Sequence, residues 1–312
     1  MLFQRTLKKR VVVDGTGLHT GKPARLAFCP APEDTGILFV RNDLPGQPLL
    51  PVLWDRVKAT QQATTLGGDD FSVSTVEHCL SAVAALRIDN MLIELEGPEI
   101  PIVDGSAAPY LNALLSSGFY DQKKLRSYIY MTKPIEMTDG QKFARISPYN
   151  GLRVSCKIHF DHPCIGDQEL DMDVNQVTFT REIAPARTFG FLKDVQELHR
   201  RGLALGGSLS NAIVLNEDSI INPEGLRFRD EFVRHKILDA LGDLVTLGYP
   251  MLGHVHLERT GHDFMNRFIR KVVASRDSYR VINMGDRDIR VDAAVSEELR
   301  QNHILVGAQS GS

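Results

Sequence analysis

The sequence predicts an α+β protein built from two duplicated two-layer domains, each a sheet with helices on one face, packed with their helical layers facing. Three observations lead there. The chain is 312 residues long, which suits two domains of ordinary size. Strand-like runs of alternating apolar residues are interleaved with helix-like runs whose apolar residues recur every three to four positions. The same order, strands then helix then strand then helix, occurs twice along the chain.

The first copy begins with the strand-like Ala24-Arg25-Leu26-Ala27, a proline-rich turn, the strand-like run 36–40 and Pro45-Gly46. Residues 74–86 read as a helix with Val76, Leu80, Val83 and Ala84 on one face. The alternating strand 91–95 follows, then a helix near 107–117. The second copy has Ala144-Arg145-Ile146-Ser147, a turn at 148–151, the strand-like run 152–158 and His162-Pro163. A helix over 230–247, closed by Gly248 and Pro250, leads to the strand 254–258 and a last helix near 261–274. The polar segment 121–127 reads as the linker. The expected division is therefore 1–125, 126–282 and a C-terminal extension, 283–312. An insertion at about 180–212 interrupts the second copy. Its run 186–192, helix-like 193–201 and glycine-rich 202–207 read as a small strand–helix–strand unit with an apolar inner side, the kind of added element that carries substrate contacts.

Composition removes several classes of function. A net charge of −3 without a basic stripe speaks against nucleic acid as a partner. No stretch approaches the roughly 18 apolar residues of a membrane helix. The N-terminal basic residues are followed only by Val11-Val12-Val13, too short for the core of a signal peptide. Cys29, Cys79, Cys156 and Cys164 form no CxxC pair, so free thiols in a reducing cytoplasm are expected.

The strongest chemical signal is His235, Asp239 and Asp243, which recur every four residues and share one helix face. A solvated polar stripe would give the same spacing, but Ala240, Leu241 and Gly242 around it point to close packing. The second signal is Ser74-Thr75-Val76-Glu77-His78-Cys79. Ser74 and Glu77 fit a capping box, which accounts for the glutamate and leaves His78 unexplained. The duplication puts His78 and His235 at the starts of equivalent helices, where both imidazoles can meet at the seam. Zinc takes imidazole and carboxylate readily, and His78, His235 and Asp239 would leave one coordination position for water. Cys79 cannot easily join, because neighbouring helix positions point about 100° apart. His262 stands where a helix begins. The helix dipole would lower its pKa and a partner such as Asp243 would raise it; an ordinary cap-region histidine is the alternative. His19 lies in a glycine-rich turn, 15–21, that lacks the Gly-Lys-Ser/Thr ending of a phosphate loop.

Taken together, Thr16-Gly17-Leu18-His19-Thr20-Gly21, Ser74-Thr75-Val76-Glu77-His78, Ile100-Pro101-Ile102-Val103-Asp104-Gly105-Ser106-Ala107, Ala186-Arg187-Thr188-Phe189-Gly190-Phe191 and Phe232-Val233-Arg234-His235-Lys236-Ile237-Leu238-Asp239 resemble one family closely. It is the zinc-dependent UDP-3-O-acyl-N-acetylglucosamine deacetylase family of lipid A biosynthesis, and the motifs span about 1–275 in the family's order. The resemblance implies one Zn2+ per chain on His78, His235 and Asp239, with Glu77 as general base. It makes His262 the partner acid or electrostatic stabiliser, oriented by Asp243, and Thr188 a donor to the oxyanion. Phe160 resembles the aromatic that contacts uracil. His19, Lys236 and Arg259 resemble positions near the diphosphate or sugar, and Phe189, Leu192 and Val195 the passage for the acyl chain. A cytoplasmic monomer of a Gram-negative-type bacterium follows as an expectation, with an acylated UDP-sugar as substrate and transient contact with a membrane surface.

Three features depart from that pattern. Gln61-Gln62-Ala63 replaces a more hydrophobic stretch, Ser210 stands where an acid is expected, and the tail runs past the family's core. Other readings are a zinc amidohydrolase acting on a different nucleotide sugar, a binding module with a structural zinc, and a kinase-like fold using the 15–21 turn. Substrate panels separate the first, a fourth protein ligand the second, and the missing lysine speaks against the third.

Overall fold

The computed structural model describes residues 2–68 and 70–283, so the expected extension lies outside the described residues apart from Asn283. The first sheet runs β2 (Val11–Thr16), β3 (Pro23–Pro30), β9 (Met91–Glu96), β4 (Ile37–Arg41) and β5 (Leu49–Pro51). Neighbours are antiparallel except β4 and β9, which are parallel. In the second sheet β12 (Ile135–Asp139), β13 (Lys142–Ser147), β18 (Met251–Glu258), β14 (Leu152–Phe160) and β15 (Gly166–Asp173) repeat the order and the senses, with β14 and β18 the parallel pair. The duplication is thus visible in topology, where few identities remain in sequence. Two more strands, β11 (Ser127–Met131) and β19 (Tyr279–Asn283), join at the start of β18. Smaller pieces complete the strands: β1 (Phe3–Leu7) with β10 (Phe119–Leu125), and β6 (Val57–Ala59), β7 (Thr65–Gly67) and β8 (Ser72–Val73) in a third small sheet.

Equivalent helices flank the equivalent central strands. Helix α1 (Glu77–Ala85) precedes β9 and α2 (Ala108–Ser117) follows it; α5 (Glu231–Leu244) precedes β18 and α6 (His262–Ala274) follows it. Both α1 and α5 are buried on nearly all sides, because they pack on each other, with α2 also against α1 and β14 and β15 also against α5. They approach closely at Gly242, where a Cβ would sit 2.0 Å from the Glu77 carbonyl oxygen. This contact sets the start of α1 beside the last turn of α5, within reach of Asp239. Among the described residues no helix is long and apolar enough to cross a membrane.

Three expectations need correction. Residues 121–127 form no loose linker: they complete β10 and open β11, with Gln122 and Arg126 buried and Asp121, Lys123 and Lys124 exposed. A ribbon with few inward residues looks polar in sequence. The helix expected from residue 74 starts at Glu77, because Thr75 adopts φ +60°, outside the helical range. The inserted unit consists of β16 (Phe189–Phe191), α4 (Leu192–Arg200) and β17 (Ile213–Leu215), the two strands pairing in parallel, so it closes beyond residue 212. Segment 202–207 is irregular, since Leu205 and Gly206 donate to the carbonyls of His19 and Leu18 in the glycine-rich turn. A short helix, α3 (Gln176–Thr178), leads into this region.

Candidate metal centre and active site

The site lies where α1 and α5 meet. His235 sits in the first turns of α5, and its Nδ1 lies 3.1 Å from the Ala186 carbonyl, just ahead of β16. That bond fixes the ring and leaves Nε2 facing Asp239 Oδ1 at 3.2 Å. From the other half, His78 brings Nε2 to 3.6 Å from the same oxygen. The two rings stand edge to face with centroids 4.8 Å apart. Asp239 Oδ1 and His78 Nδ1 are buried with no hydrogen-bond partner, although polar atoms buried in this way are rarely left unsatisfied.

One donor atom from each of His78, His235 and Asp239 lies within 4.8 Å of the others, and all three residues are buried. Burial pushes the His235 imidazole down to about 3, so it is neutral, as a metal ligand must be. Burial would raise the Asp239 carboxyl, but the imidazoles and the Lys236 ammonium outweigh it and hold the group well below its usual range. Lys236 Nζ donates to Asp239 Oδ2 at 2.7 Å, which leaves Oδ1 for a cation. Two imidazoles and one ionised carboxylate, whose Oδ1 has no other partner, form a donor set that fits a divalent ion such as zinc.

A second pair of groups lies beside this cluster. Glu77, the first residue of α1, accepts from the Thr64 amide at 3.0 Å through Oε2 and turns Oε1 to 3.8 Å from His262 Nε2. The expected capping box is absent: Ser74 Oγ lies 2.9 Å from Thr65 Oγ1, and Val76 is the residue before the helix. The left-handed Thr75 rotates Ser74 off the helix axis and frees the glutamate for the site. That conformation costs of the order of 1–3 kcal/mol in a β-branched residue. Glu99, fully buried, offsets it by accepting from Thr75 Oγ1 at 2.8 Å. The same carboxylate accepts from the His19 and Thr20 amides, both at 2.8 Å, and so ties the glycine-rich turn to the start of α1.

His262 opens α6, with Nδ1 2.9 Å from Asp243 Oδ2. Thr64 Oγ1 donates to Asp243 Oδ1 at 2.6 Å. Burial lowers the His262 pKa, but Asp243 and then Glu77 overcome it and carry the imidazole up to about 9. The carboxylate therefore decides the question that the helix dipole left open. Burial raises the Glu77 carboxyl, with His262 and His78 opposing. His262 and Glu77 are thus held 3.8 Å apart, each raised above its ordinary range.

Around the centre, Phe189 stacks edge-on with His235 at 6.3 Å and with Phe160 at 5.5 Å. The Thr188 amide donates to the Gly105 carbonyl at 2.8 Å, two residues past the carbonyl that holds His235. Gly105 has φ +83°, and a Cβ there would meet the Asn211 carbonyl oxygen at 2.1 Å, so this loop must stay bare to dock on the insertion. Leu192 is exposed and Val195 half-buried on α4, which buries no residue fully. His19 is buried, with Nδ1 accepting from the Ala204 amide at 3.3 Å and Nε2 without a partner. Arg259 lies just past β18 and three residues before His262, and its guanidinium donates to Gln141 Oε1. Thr64, the Ala186 carbonyl and Glu99 are site-building groups that sequence reasoning passed over.

The chain matches the family model described as "LpxC: UDP-3-O-acyl N-acetylglycosamine deacetylase" over residues 4–274. A relative from Bdellovibrio bacteriovorus, named UDP-3-O-acyl-N-acetylglucosamine deacetylase, is 54% identical over 301 residues, 96% of this chain and 97% of the relative. Relatives of the same name from Syntrophotalea carbinolica and Myxococcus xanthus are each 46% identical over 286 residues, covering 92% of this chain and 93% and 91% of theirs. On a match of that extent, the chain belongs to the UDP-3-O-acyl N-acetylglycosamine deacetylase (LpxC) family.

Proposed function

We propose that this protein removes the N-acetyl group from UDP-3-O-acyl-N-acetylglucosamine, giving acetate and the free amine, as a zinc-dependent step of lipid A biosynthesis. The observation that carries the reading is the convergence of His78, His235 and Asp239 next to the Glu77–His262 pair. Those three residues would hold one zinc ion per chain. When bound, zinc supplies Lewis acidity, which makes water a usable nucleophile near neutral pH and polarises an amide carbonyl.

The side chains account for the rest of the reaction. Glu77 takes a proton from the attacking water as its oxygen bonds to the acetyl carbon. The Thr188 hydroxyl donates to the oxyanion that develops on the former carbonyl oxygen. His262, kept as imidazolium by Asp243, gives its proton to the sugar nitrogen as the C–N bond breaks. Phe189, Leu192 and Val195 take the acyl chain, Phe160 the uracil, and His19, Lys236 and Arg259 the polar middle of the substrate. Four free cysteines support a reducing, cytoplasmic setting.

The test is metal analysis together with acetate release from the acylated sugar nucleotide. One zinc per chain is expected, with turnover lost on chelation and restored by zinc. Full turnover in the metal-stripped protein would end the proposal. Faster acetate release from another nucleotide-sugar amide would move the assignment to a different substrate. A substrate without its 3-O-acyl group should react far more slowly, and equal rates would remove the passage assignment.

A further inference from the structure

A cavity of about 450 Å³ lies towards the C-terminal ends of α1 and α5, lined by none of the metal-cluster residues. That volume falls within the range of small-molecule sites. Leu38, Leu53 and Val83 line it from the N-terminal half, and Leu241, Leu247 and Met251 from the other. Aliphatic side chains from helices and strands of both halves thus make one part of the wall, and polar groups, Asp34, Asp89 and Asn90 among them, make another.

One cation faces this space without a partner. Arg87 lines the cavity at the turn just past α1, where φ is +52°. Among the described residues its guanidinium makes no ion pair and no hydrogen bond. Asp89, close by in the chain, is already taken: Arg126 Nε donates to Oδ1 and the Arg5 amide to Oδ2, each at 2.7 Å. Asp34, which also lines the cavity, is matched by Lys124 and by Gln4. Burial, with Arg126 and Arg5 nearby, lowers the Arg87 pKa, with Tyr128 and Asp89 opposing. Arg87 is half-buried and, as an arginine, remains charged, so an unpaired guanidinium stands beside the apolar part of the cavity. A bound carboxylate would pair with it through a charge-assisted, two-pronged hydrogen bond.

We propose that this cavity binds a small amphipathic monocarboxylate, with its carboxylate on Arg87 and its hydrocarbon chain between the two halves. The reading stands independently of the hydrolytic site. Val83 and Leu241 share α1 and α5 with His78 and Asp239, so the two sites are built on the same helix pair.

Dodecanoate, titrated calorimetrically into the full-length, zinc-loaded protein, should bind saturably. Dodecanol, which lacks the charge, should bind more weakly. Arg87→Met should weaken dodecanoate by about tenfold or more, the loss expected for a charged hydrogen bond. Ala84→Phe, which fills the cavity from α1, should abolish binding and covers the case in which the arginine variant fails to fold. Phe189→Ala, at the proposed acyl passage, should leave the affinity unchanged. No saturable binding would overturn the proposal. So would binding that survives Arg87→Met and Ala84→Phe but is lost in Phe189→Ala, because the ligand would then sit in the passage.

Discussion

Glu77 and Arg234 occupy matched places in the two copies: each stands one residue before a histidine, on the helix that leads into the central strand of its sheet. Arg234 turns away from the site. Its guanidinium binds Asp230 at 2.6 Å and Glu182 at 2.7 Å and lies 4.4 Å from the centre of the Phe228 ring. Glu77 turns inward to the Thr64 amide and His262. The backbone makes the difference. Thr75 reverses the chain with a left-handed φ just before α1, so that Glu77 is the helix's first residue, whereas α5 is already in progress when it reaches Arg234. The duplicated frame thus supplies the histidine twice, and local divergence supplies the proposed base once. One copy uses the matched position for a half-buried ion-pair cluster, and the other turns a buried carboxylate toward the metal cluster.

The sharpest way to break this contrast is Glu77→Gln. Turnover should fall by about 10²–10⁴-fold, the usual worth of a general base, while zinc stays near one per chain. Zinc lost along with activity would make Glu77 part of the metal scaffold instead. Next in size is Gly242→Ala. Its methyl would meet the Glu77 carbonyl oxygen at 2.0 Å, so the helices must part, at a cost of about 1–3 kcal/mol. A lower denaturant midpoint is expected, and an unchanged one would show that the two copies do not need this close approach.

A third test follows protons. In the metal-free protein His262 should titrate near pH 9 by NMR, and Asp243→Asn should bring it down. The sign follows from a folded pKa raised above the free value of about 6.5. The stabilisation is complete below that free value and disappears as pH rises through about 9. A His262 resonance that titrates below the free value would remove the imidazolium from the mechanism. The smallest effect should come from Arg234→Ala, which should leave turnover unchanged and cost about 1 kcal/mol or less, because Glu182 and Asp230 are partly exposed. A large loss of activity there would show that the two positions had not diverged as described.

Much of this architecture could be read in advance. The four-residue spacing of His235, Asp239 and Asp243 and the repeated order of elements both survive in the structure, because periodicity reports which face a residue takes. Other features had no such signal. Ser74 and Glu77 imitate a capping box, and only the torsion at Thr75 shows otherwise. Thr64 is one threonine among many until Asp243, 179 residues away, closes on it at 2.6 Å. The Ala186 carbonyl that orients His235 belongs to the backbone, which every residue has. Gln122, buried in a ribbon that looked like a linker, shows that a single inward side chain is too little for a pattern to register.

Residue identity and spacing by themselves determined the repeated α+β frame, the chemical types of the donors and the helix face they share, since all of these follow from local geometry. Tertiary structure alone decided that Glu77 turns to the Thr64 amide, that the Ala186 carbonyl orients His235, and that an unpaired arginine faces a cavity between the two halves. Each of these depends on how closely two distant segments pack and on what that packing excludes. Burial and contact then set charge state and pairing, and neither is encoded in any one stretch of chain.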